Sequence, residues 1–385
     1  MKMNGNAGPN GKTLCAAAVI GALSTVPAAR AATVYDEEGT TLELYGNIQI
    51  AVSSVETAGE GGEVDAIDEL ADNGSTLGVR GTRAFGDGFT GYFRYEFEGD
   101  ADEIKAGAGL DGGDQAYFGI EGAFGDVRIG SWDVLIDDWV QDPISNNEFF
   151  DLSDSNGRIE GDDGVNTQGE QSADREGDRL QYSSPSLAGF TAVVGLQFKG
   201  SGEEENVSDS ASVAPYLGVE YEIGSFVVAA VWDSLDNFDG DVSGRTFLAP
   251  DGTAMGEYDA GDQFGVAATY TLDTLSLSAK IESYASGDDD IVPNELRFGI
   301  GARYGYGSGD VYGAYQLVDV DEVGAIELDG SELLPVVEND TTYNEVNFGV
   351  TYELFDSAYV FGEAAAYDRE DSVGDGVAFG AVYVF

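Results

Sequence analysis

From Thr41 to the last residue the chain is written largely in alternation. Leu42, Leu44, Ile48, Ile50 and Val52 fall on one face with Gly46, and Glu43, Tyr45, Asn47 and Gln49 fall on the other. A period of two predicts a strand with two unlike faces. The pattern then recurs in pairs around short turns. Thr76–Phe85 and Phe89–Glu98 flank Gly86-Asp87-Gly88, with Phe93, Tyr95 and Phe97 opposite Arg94, Glu96 and Glu98. Further pairs are Gln115–Glu121 with Asp126–Trp132, Arg179–Ser184 with Phe190–Lys199, and Tyr216–Tyr221 with Phe226–Trp232. Gln263–Tyr270 pairs with Leu275–Tyr284, Glu295–Tyr304 with Val311–Leu317, and Tyr343–Tyr352 with Tyr359–Tyr367. A last run, Val377–Phe385, ends the chain on a bare aromatic ring. Between hairpins lie longer acidic, glycine-rich stretches; 53–75 reads as a long loop and 133–177 is the longest.

The count is 16 strands, with short turns at one end and long loops at the other. An even number, connections sorted by length and strands of about ten residues predict an all-β fold, a 16-stranded antiparallel transmembrane β-barrel with short periplasmic turns and long external loops. The last strand taken alone fits an edge of a soluble sandwich equally well. The polar face decides between them. It carries Glu43, Gln49, Arg80, Arg94, Glu96, Arg128, Gln181, Lys280, Glu282, Arg297 and Arg303. A dry core would not hold these charges unpaired, whereas a water-filled lumen would. Aromatics gather near strand ends, at Tyr45, Phe85, Phe89, Tyr95, Trp132, Tyr182, Phe198, Tyr221, Trp232, Tyr270, Tyr284, Tyr304, Tyr352 and Phe385, as two interfacial girdles require.

Composition narrows the function. Seventeen basic residues stand against 72 acidic ones, a net charge of −55. Nucleic acid is excluded as a partner, because phosphate binding needs basic clusters. Self-repulsion of this size is tolerable where salt screens it, so the acidity reads as adaptation to high salt. Histidine is absent and Cys15 is the single cysteine. No Cys/His zinc site, Ser-His-Asp triad or structural disulfide can be built. Lys2 and Lys12, the apolar run from Thr13 to Val26 and the Ala29-Arg30-Ala31 cleavage motif predict a signal peptide over 1–31, with the barrel domain over 32–385. Removing Lys2, Lys12 and Arg30 leaves 17 − 3 = 14 basic residues in the exported chain.

Several stretches resemble the trimeric general-diffusion porins of Gram-negative outer membranes. LELYGNIQIAV is similar to the family's opening strand and STLGVRGTRAFGDGFTGYFRYEFE to its second hairpin. AYFGIEGAFGDVRIGSWD resembles the strands before the constriction loop, RLQYSSPSLAGFTAVVGLQF the pair after it, and FGAVYVF the terminal strand. The resemblance spans 32–385. It implies a homotrimer in the outer membrane, in contact with lipid and lipopolysaccharide, and a water-filled channel for passive diffusion of ions and small hydrophilic solutes, with no cofactor, no bound metal and no enzymatic activity. It also implies that the third loop, within 133–177, folds inward. That loop would place carboxylates at the constriction, the candidates being Asp133, Asp137, Asp138, Asp142, Glu148 and Asp151. The facing wall would carry Arg80, Arg94, Glu96, Arg128 and Arg179, and Phe385 would close the barrel.

The chain departs from the family's pattern on that wall. Thr76, Asp114 and Ser183 stand where members carry basic residues. A carboxylate-lined channel between low-dielectric walls concentrates cations, so a cation preference is expected. Three alternatives stay open. A saccharide-specific channel would need an aromatic track; Tyr92, Tyr117, Tyr216, Tyr359 and Phe361 are lumen-side by parity without forming an evident one. A secreted acidic binding protein is the second. An enzyme with paired carboxylates is the third, although nothing positions a pair. Asp288-Asp289-Asp290 and Asp162-Asp163 offer hard oxygen ligands to divalent cations, but in no EF-hand spacing.

Overall fold

The computed structural model describes residues 31–58, 64–99, 101–102, 111–156, 177–198, 212–238, 246–248, 259–287, 293–321, 326–329, 332–335, 341–368 and 372–385. Residues 1–30 of the expected signal segment, with Cys15, and both acidic tracts, Asp162-Asp163 and Asp288-Asp289-Asp290, lie outside the described residues.

The first strands are β1 (Ala32–Glu37), β2 (Thr40–Ala58), β3 (Val64–Asp72), β4 (Thr76–Gly86), β5 (Phe89–Glu98), β6 (Asp111–Gly122) and β7 (Gly125–Ser131). Next come β8 (Arg179–Ser183), β9 (Phe190–Phe198), β10 (Val213–Ile223), β11 (Phe226–Ser234), β12 (Thr246–Leu248), β13 (Asp262–Leu272) and β14 (Leu275–Ala285). The series ends with β15 (Glu295–Gly305), β16 (Asp310–Val320), β17 (Ile326–Asp329), β18 (Glu332–Pro335), β19 (Thr341–Phe355), β20 (Ala358–Tyr367) and β21 (Gly376–Val384). Strands β12, β17 and β18 form a separate three-stranded sheet from two of the long connections.

The remaining 18 strands make one antiparallel sheet that closes on itself. Two of them add no circumference. On one edge of β2, Ile50 faces Asp72 of β3 and Gly46 faces Leu77 of β4, so β3 and β4 are one track with a single extra residue at 73–75. The Asp72 carboxylate holds this bulge by accepting the N–H groups of Gly74 (2.9 Å) and Ser75 (2.7 Å). On the other edge, β1 continues below β21. The barrel therefore has 18 − 2 = 16 strands, as the alternation predicts. Closure is direct: Phe385 and Gly46 exchange N–H···O=C bonds of 3.0 Å in both directions. Every strand thereby finds a partner, which lipid would not supply. The β4–β5 turn shows why its residues are there. Asp87 (φ 51°) and Gly88 (φ 84°) both sit in the left-handed region that a two-residue hairpin turn demands.

Two expectations are corrected. Residues 53–75 are not a long loop: β2 runs on to Ala58 and β3 begins at Val64. The frequent Asp, Glu and Gly hid a strand whose Leu70, paired with outward-facing Val52, is apolar and exposed. The girdle also loses three members. Tyr45, Trp132 and Tyr284 point into the barrel, because strand parity places them with polar neighbours, and Tyr284 donates to the Ala260 carbonyl at 2.7 Å. Phe85, Phe89, Tyr95, Tyr182, Phe198, Tyr270, Tyr304 and Tyr352 face outward.

The two faces are inverted relative to a water-soluble protein. Outward Phe379, Phe118 and Phe348 are 65%, 62% and 59% exposed, while inward Gln263, Gln316 and Glu345 are fully buried. Only hydrocarbon outside and a polar interior make such a surface stable. No helix among the described residues is long and apolar enough to cross a membrane, so the strands do the crossing.

Candidate functional site

After Trp132 the chain leaves β7 and turns into the lumen. Residues 137–141 make a π-helical turn and α1 (Asp142–Ser145) follows it. The inner side of this segment is apolar. Val134, Leu135, Ile136 and Val140 pack on Val193, Tyr216, Val231 and Ala267 of β9, β10, β11 and β13. Further on, Ile144, Phe150 and Leu152 join Ala314, Tyr359, Phe361, Ala378 and Val382 in a second cluster. Gly218 and Gly265 let the loop lie flush with the wall. A Cβ on either would fall 2.7–2.8 Å from Val140, Leu135 or Trp139. The loop thus covers the wall from β9 round to β21; Arg179 and Gln181 of β8 are buried beside its root, and Arg80 and Arg94 of β4 and β5 are left open.

Polar contacts hold the loop where apolar ones do not. Glu363 of β20 accepts the successive N–H groups of Glu148 (2.8 Å), Phe149 (2.9 Å) and Phe150 (2.8 Å), together with the Tyr312 hydroxyl. Glu345 of β19 accepts the Ser153 N–H (3.0 Å), the Ser153 hydroxyl (2.9 Å) and the Gln316 amide (2.9 Å). Glu282 of β14 accepts the Ser155 N–H, the Gln141 amide and Lys280 Nζ, each at 2.8 Å. Hydrogen bonds to ionised acceptors contribute about 1.5–3 kcal/mol each. Glu345 and Glu363 escaped the sequence reading as loop anchors. A visible signal exists for Glu363 alone, the one acid in the otherwise apolar β20; β19, with Asn344, Asn347 and Thr351, does not set Glu345 apart.

Lys280, Glu282 and Arg297 face inward as parity predicts, yet they do not line water. The Lys280 and Glu282 side chains are 0% exposed and Arg297 4%, sealed between wall and loop. Lys280 meets Glu282 at 2.8 Å and Arg297 meets Glu295 at 2.5 Å. Arg303 Nη2 donates to the Asn146 carbonyl at 2.6 Å, where α1 ends.

On the wall from β4 to β8 each arginine lies on an aromatic ring. The Tyr45 ring is flanked by Arg80 at 5.2 Å and Arg94 at 5.5 Å. Arg128 stands 4.0 Å from the Trp132 ring centre and 4.9 Å from that of Tyr117, and Arg179 is 5.8 Å from Tyr216. Such contacts contribute about 0.5–2 kcal/mol and fix a flexible side chain. Carboxylates offset two of these charges locally: Arg80 Nε donates to Glu43 at 2.7 Å, and Arg94 pairs with Glu96, which also takes the Tyr45 hydroxyl at 2.8 Å. Arg179 Nη1 donates to the Asp133 carbonyl at 2.6 Å. Tyr92, Tyr117 and Trp132 stand edge-on, 6.2 and 5.9 Å apart, and the Tyr92 hydroxyl donates to Asp126 at 2.5 Å. Tyr216, Tyr359 and Phe361 are instead buried beneath the loop.

The six loop acids divide. Asp133 stays at the root, accepting the Gln115 amide at 2.7 Å. Asp137, Asp138 and Asp142 crowd together on the helical segment. Burial pushes the Asp138 carboxyl up to about 7, neighbouring Asp133 adds to the push, and Arg128, Arg179 and Arg94 oppose it. Asp137 and Asp142 are raised well above the ordinary carboxylate range, first by burial and then by each other's neighbourhood of acids, which includes Asp154. Glu148 sits against the wall, where the Tyr359 hydroxyl donates to it at 2.8 Å. Asp151 is exposed and accepts the Asn147 N–H at 3.3 Å. Where the resembled family carries basic residues, Ser183 accepts the Gln181 amide at 3.2 Å and the Thr76 N–H donates to Asn47 at 3.3 Å. The Asp114 side chain lies outside the described residues. Among the described residues no group of three or more acids is arranged to hold a metal ion.

The family model described as Gram-negative porin matches residues 16–372. A Halomonas protein named monosaccharide porin is 43% identical over 382 residues, covering 97% of this chain and 100% of its own. The major outer membrane protein of Halomonas elongata matches with the same identity and coverage. Among solved structures, the anion-selective porin from Comamonas acidovorans aligns with a TM-score of 0.66 at 18% identity, over 90% of this chain and 100% of that one. OmpF of Salmonella typhi, in complex with daunomycin, aligns with a TM-score of 0.61 at 16% identity, over 92% and 100%. At these identities the structural likeness speaks for the fold.

Proposed function

The chain belongs to the Gram-negative porin family, and on that premise we propose that its outer-membrane channel passes ions and small hydrophilic solutes passively with a preference for cations. One observation carries the preference. On the helical segment of the loop Asp138 lies within the field of Arg128, Arg179 and Arg94, and Arg80 and Arg94 on that wall are already offset by Glu43 and Glu96. A permeating cation meets the Asp138 carboxylate, ionised above about pH 7, whereas an anion meets guanidinium groups partly neutralised and stacked on rings. In a narrow passage with low-dielectric walls this imbalance raises cation occupancy. The chain is proposed to work as a homotrimer in contact with outer-membrane lipid and lipopolysaccharide.

Reconstitution in a planar bilayer under a KCl gradient tests the reading. Stepwise conductance with a cation-sided reversal potential is the expected result. A reversal potential at zero, or on the anion side, would leave the channel standing and remove the preference.

A saccharide-selective channel is the second reading, favoured by the Halomonas relative named monosaccharide porin. The Tyr92–Tyr117–Trp132 series is the available aromatic track. Arg128 lying over Trp132 and Tyr117 leaves less ring face for a sugar to stack on. Liposome swelling with a hexose against an acyclic polyol of equal size separates the readings, since only a selective track favours the ring.

A further inference from the structure

We infer that the outward face of β4–β7 holds a zwitterionic phospholipid of the periplasmic leaflet, its phosphate on Arg83 and its amine on Asp87. The inference rests on the outer-membrane placement of the barrel and not on its cation preference. Among the described residues Arg83 is the one basic side chain on the outward face; the others face the lumen. Strand parity sets it between outward Gly81 and Phe85. The register then lines up Arg83, Gly91, Ile120 and Val127 across four adjacent strands. Arg83 is exposed, and among the described residues it makes no ion pair or hydrogen bond. A guanidinium on a lipid-facing surface is costly unless its head reaches the interface and meets water or an anion there.

The order of groups along the barrel axis is the order of groups in a phospholipid. Towards the midplane lies an apolar row of Phe93, Phe118 and Ile129, all exposed. The row of Arg83 comes next. Beyond it Phe85, Phe89 and Phe124, with Ile120 and Val127, line an open groove that reaches Asp87 in the β4–β5 turn. Gly91 opens this groove: a Cβ there would fall 2.5 Å from the Phe85 ring. Acyl chains, phosphate and amine of a lipid in that leaflet follow the same sequence from midplane to periplasm, and rings at headgroup level are where a bilayer favours them. The surrounding charge selects the headgroup. Glu37 stands at the level of Arg83, paired to Thr40, which pairs to Arg83, and Glu38 occupies the next turn. An anionic headgroup meets one guanidinium among these carboxylates, whereas a zwitterion presents its amine to Asp87.

Native mass spectrometry of the full chain in detergent, titrated with phosphatidylethanolamine or phosphatidylglycerol, reads the site. The parent should bind phosphatidylethanolamine the more tightly. Arg83→Gln should weaken that binding about fivefold and keep the parental single-channel conductance, because the side chain faces away from the lumen. Arg80→Gln removes a guanidinium from the opposite face of the same strand and should leave lipid binding unchanged. Asp87→Asn should erase the discrimination between the two lipids. Equal phosphatidylethanolamine binding by the parent and a folded Arg83→Gln barrel would overturn the assignment. Equal affinity of the parent for both lipids would overturn it without any variant. Dissociation of the Arg83→Gln assembly, with lipid binding per chain unchanged, would overturn it as well and place Arg83 between copies of the chain. Loss of conductance in the parent would touch the channel reading alone.

Discussion

Two stretches of the lumen wall, β4–β8 and β14–β20, are written in the same code and put to opposite uses. Both carry arginines and carboxylates at inward positions. On β4 and β5 the guanidinium groups of Arg80 and Arg94 remain 49% and 37% exposed, propped on Tyr45 and facing the passage. On β14 and β15 the loop seals Lys280 and Arg297 away, and their partners Glu282 and Glu295 neutralise them in place. A charge that faces inward acts on a permeating ion only where nothing covers it. The covered charges serve as scaffold: the glutamates of β14, β19 and β20 hold the loop that narrows the lumen over the bare wall.

The largest effect would abolish both walls at once. Deleting Val377–Phe385 strips β2 and β20 of a partner and leaves their N–H and C=O groups to lipid, at several kcal/mol each. No folded, heat-resistant barrel should be recovered, and recovery of one would mean that the seam between Phe385 and Gly46 is dispensable.

Next in size is a change on the covered wall. Glu282→Ala leaves the Lys280 ammonium buried without its partner, which should cost about 3–5 kcal/mol, read from the denaturant midpoint of the folded barrel. A midpoint unchanged from the parent would show that water reaches Lys280, and the contrast between the walls would collapse.

Selectivity sharpens the contrast from the other side. Asp138→Asn should move the reversal potential towards zero, and Arg128→Gln should move it further to the cation side. The pH profile follows from the Asp138 carboxyl, raised to about 7. Because its pKa is raised, the charge is present above that value and is lost as pH falls through it. The cation preference should therefore weaken between about pH 8 and 6, and Asp138→Asn should flatten the profile over that range. A profile equally steep in the variant would assign the titration to another acid.

The smallest effect lies on the bare wall. Glu43→Ala removes the partner of a half-exposed arginine and should cost about 0–1 kcal/mol by the same midpoint, because water and salt screen the pair. A loss matching that of Glu282→Ala would erase the difference between open and covered charge.

Much of this was legible in the residues. Alternation of Leu42, Leu44, Ile48 and Ile50 with Glu43, Tyr45, Asn47 and Gln49 names both faces of β2 without any knowledge of its neighbours. Asp87-Gly88 marks a hairpin because few residue pairs accept two left-handed conformations. Where neither composition nor alternation spoke for a strand, the residues misled. Asp65, Asp68, Glu69 and Asp72 suggested a loop and do not alternate; the stretch is a strand because it pairs with β2 from Ile50 to Ala58. Aromatics near strand ends could not be sorted by position alone, since Tyr45 and Tyr95 differ only in which face they occupy.

Strand number, antiparallel order, the lipid-facing surface and the inward set of charged residues were determined by the chain itself, because a period of two is a local property of an extended backbone. Only the tertiary structure decided which inward charges meet water. That depends on the path of one loop whose anchors, Glu282, Glu345 and Glu363, lie between 127 and 215 residues away in sequence. Many of the hydrogen bonds that fix the path run to the loop's main chain, which is the same for every sequence, and those leave little mark on the residues of the loop.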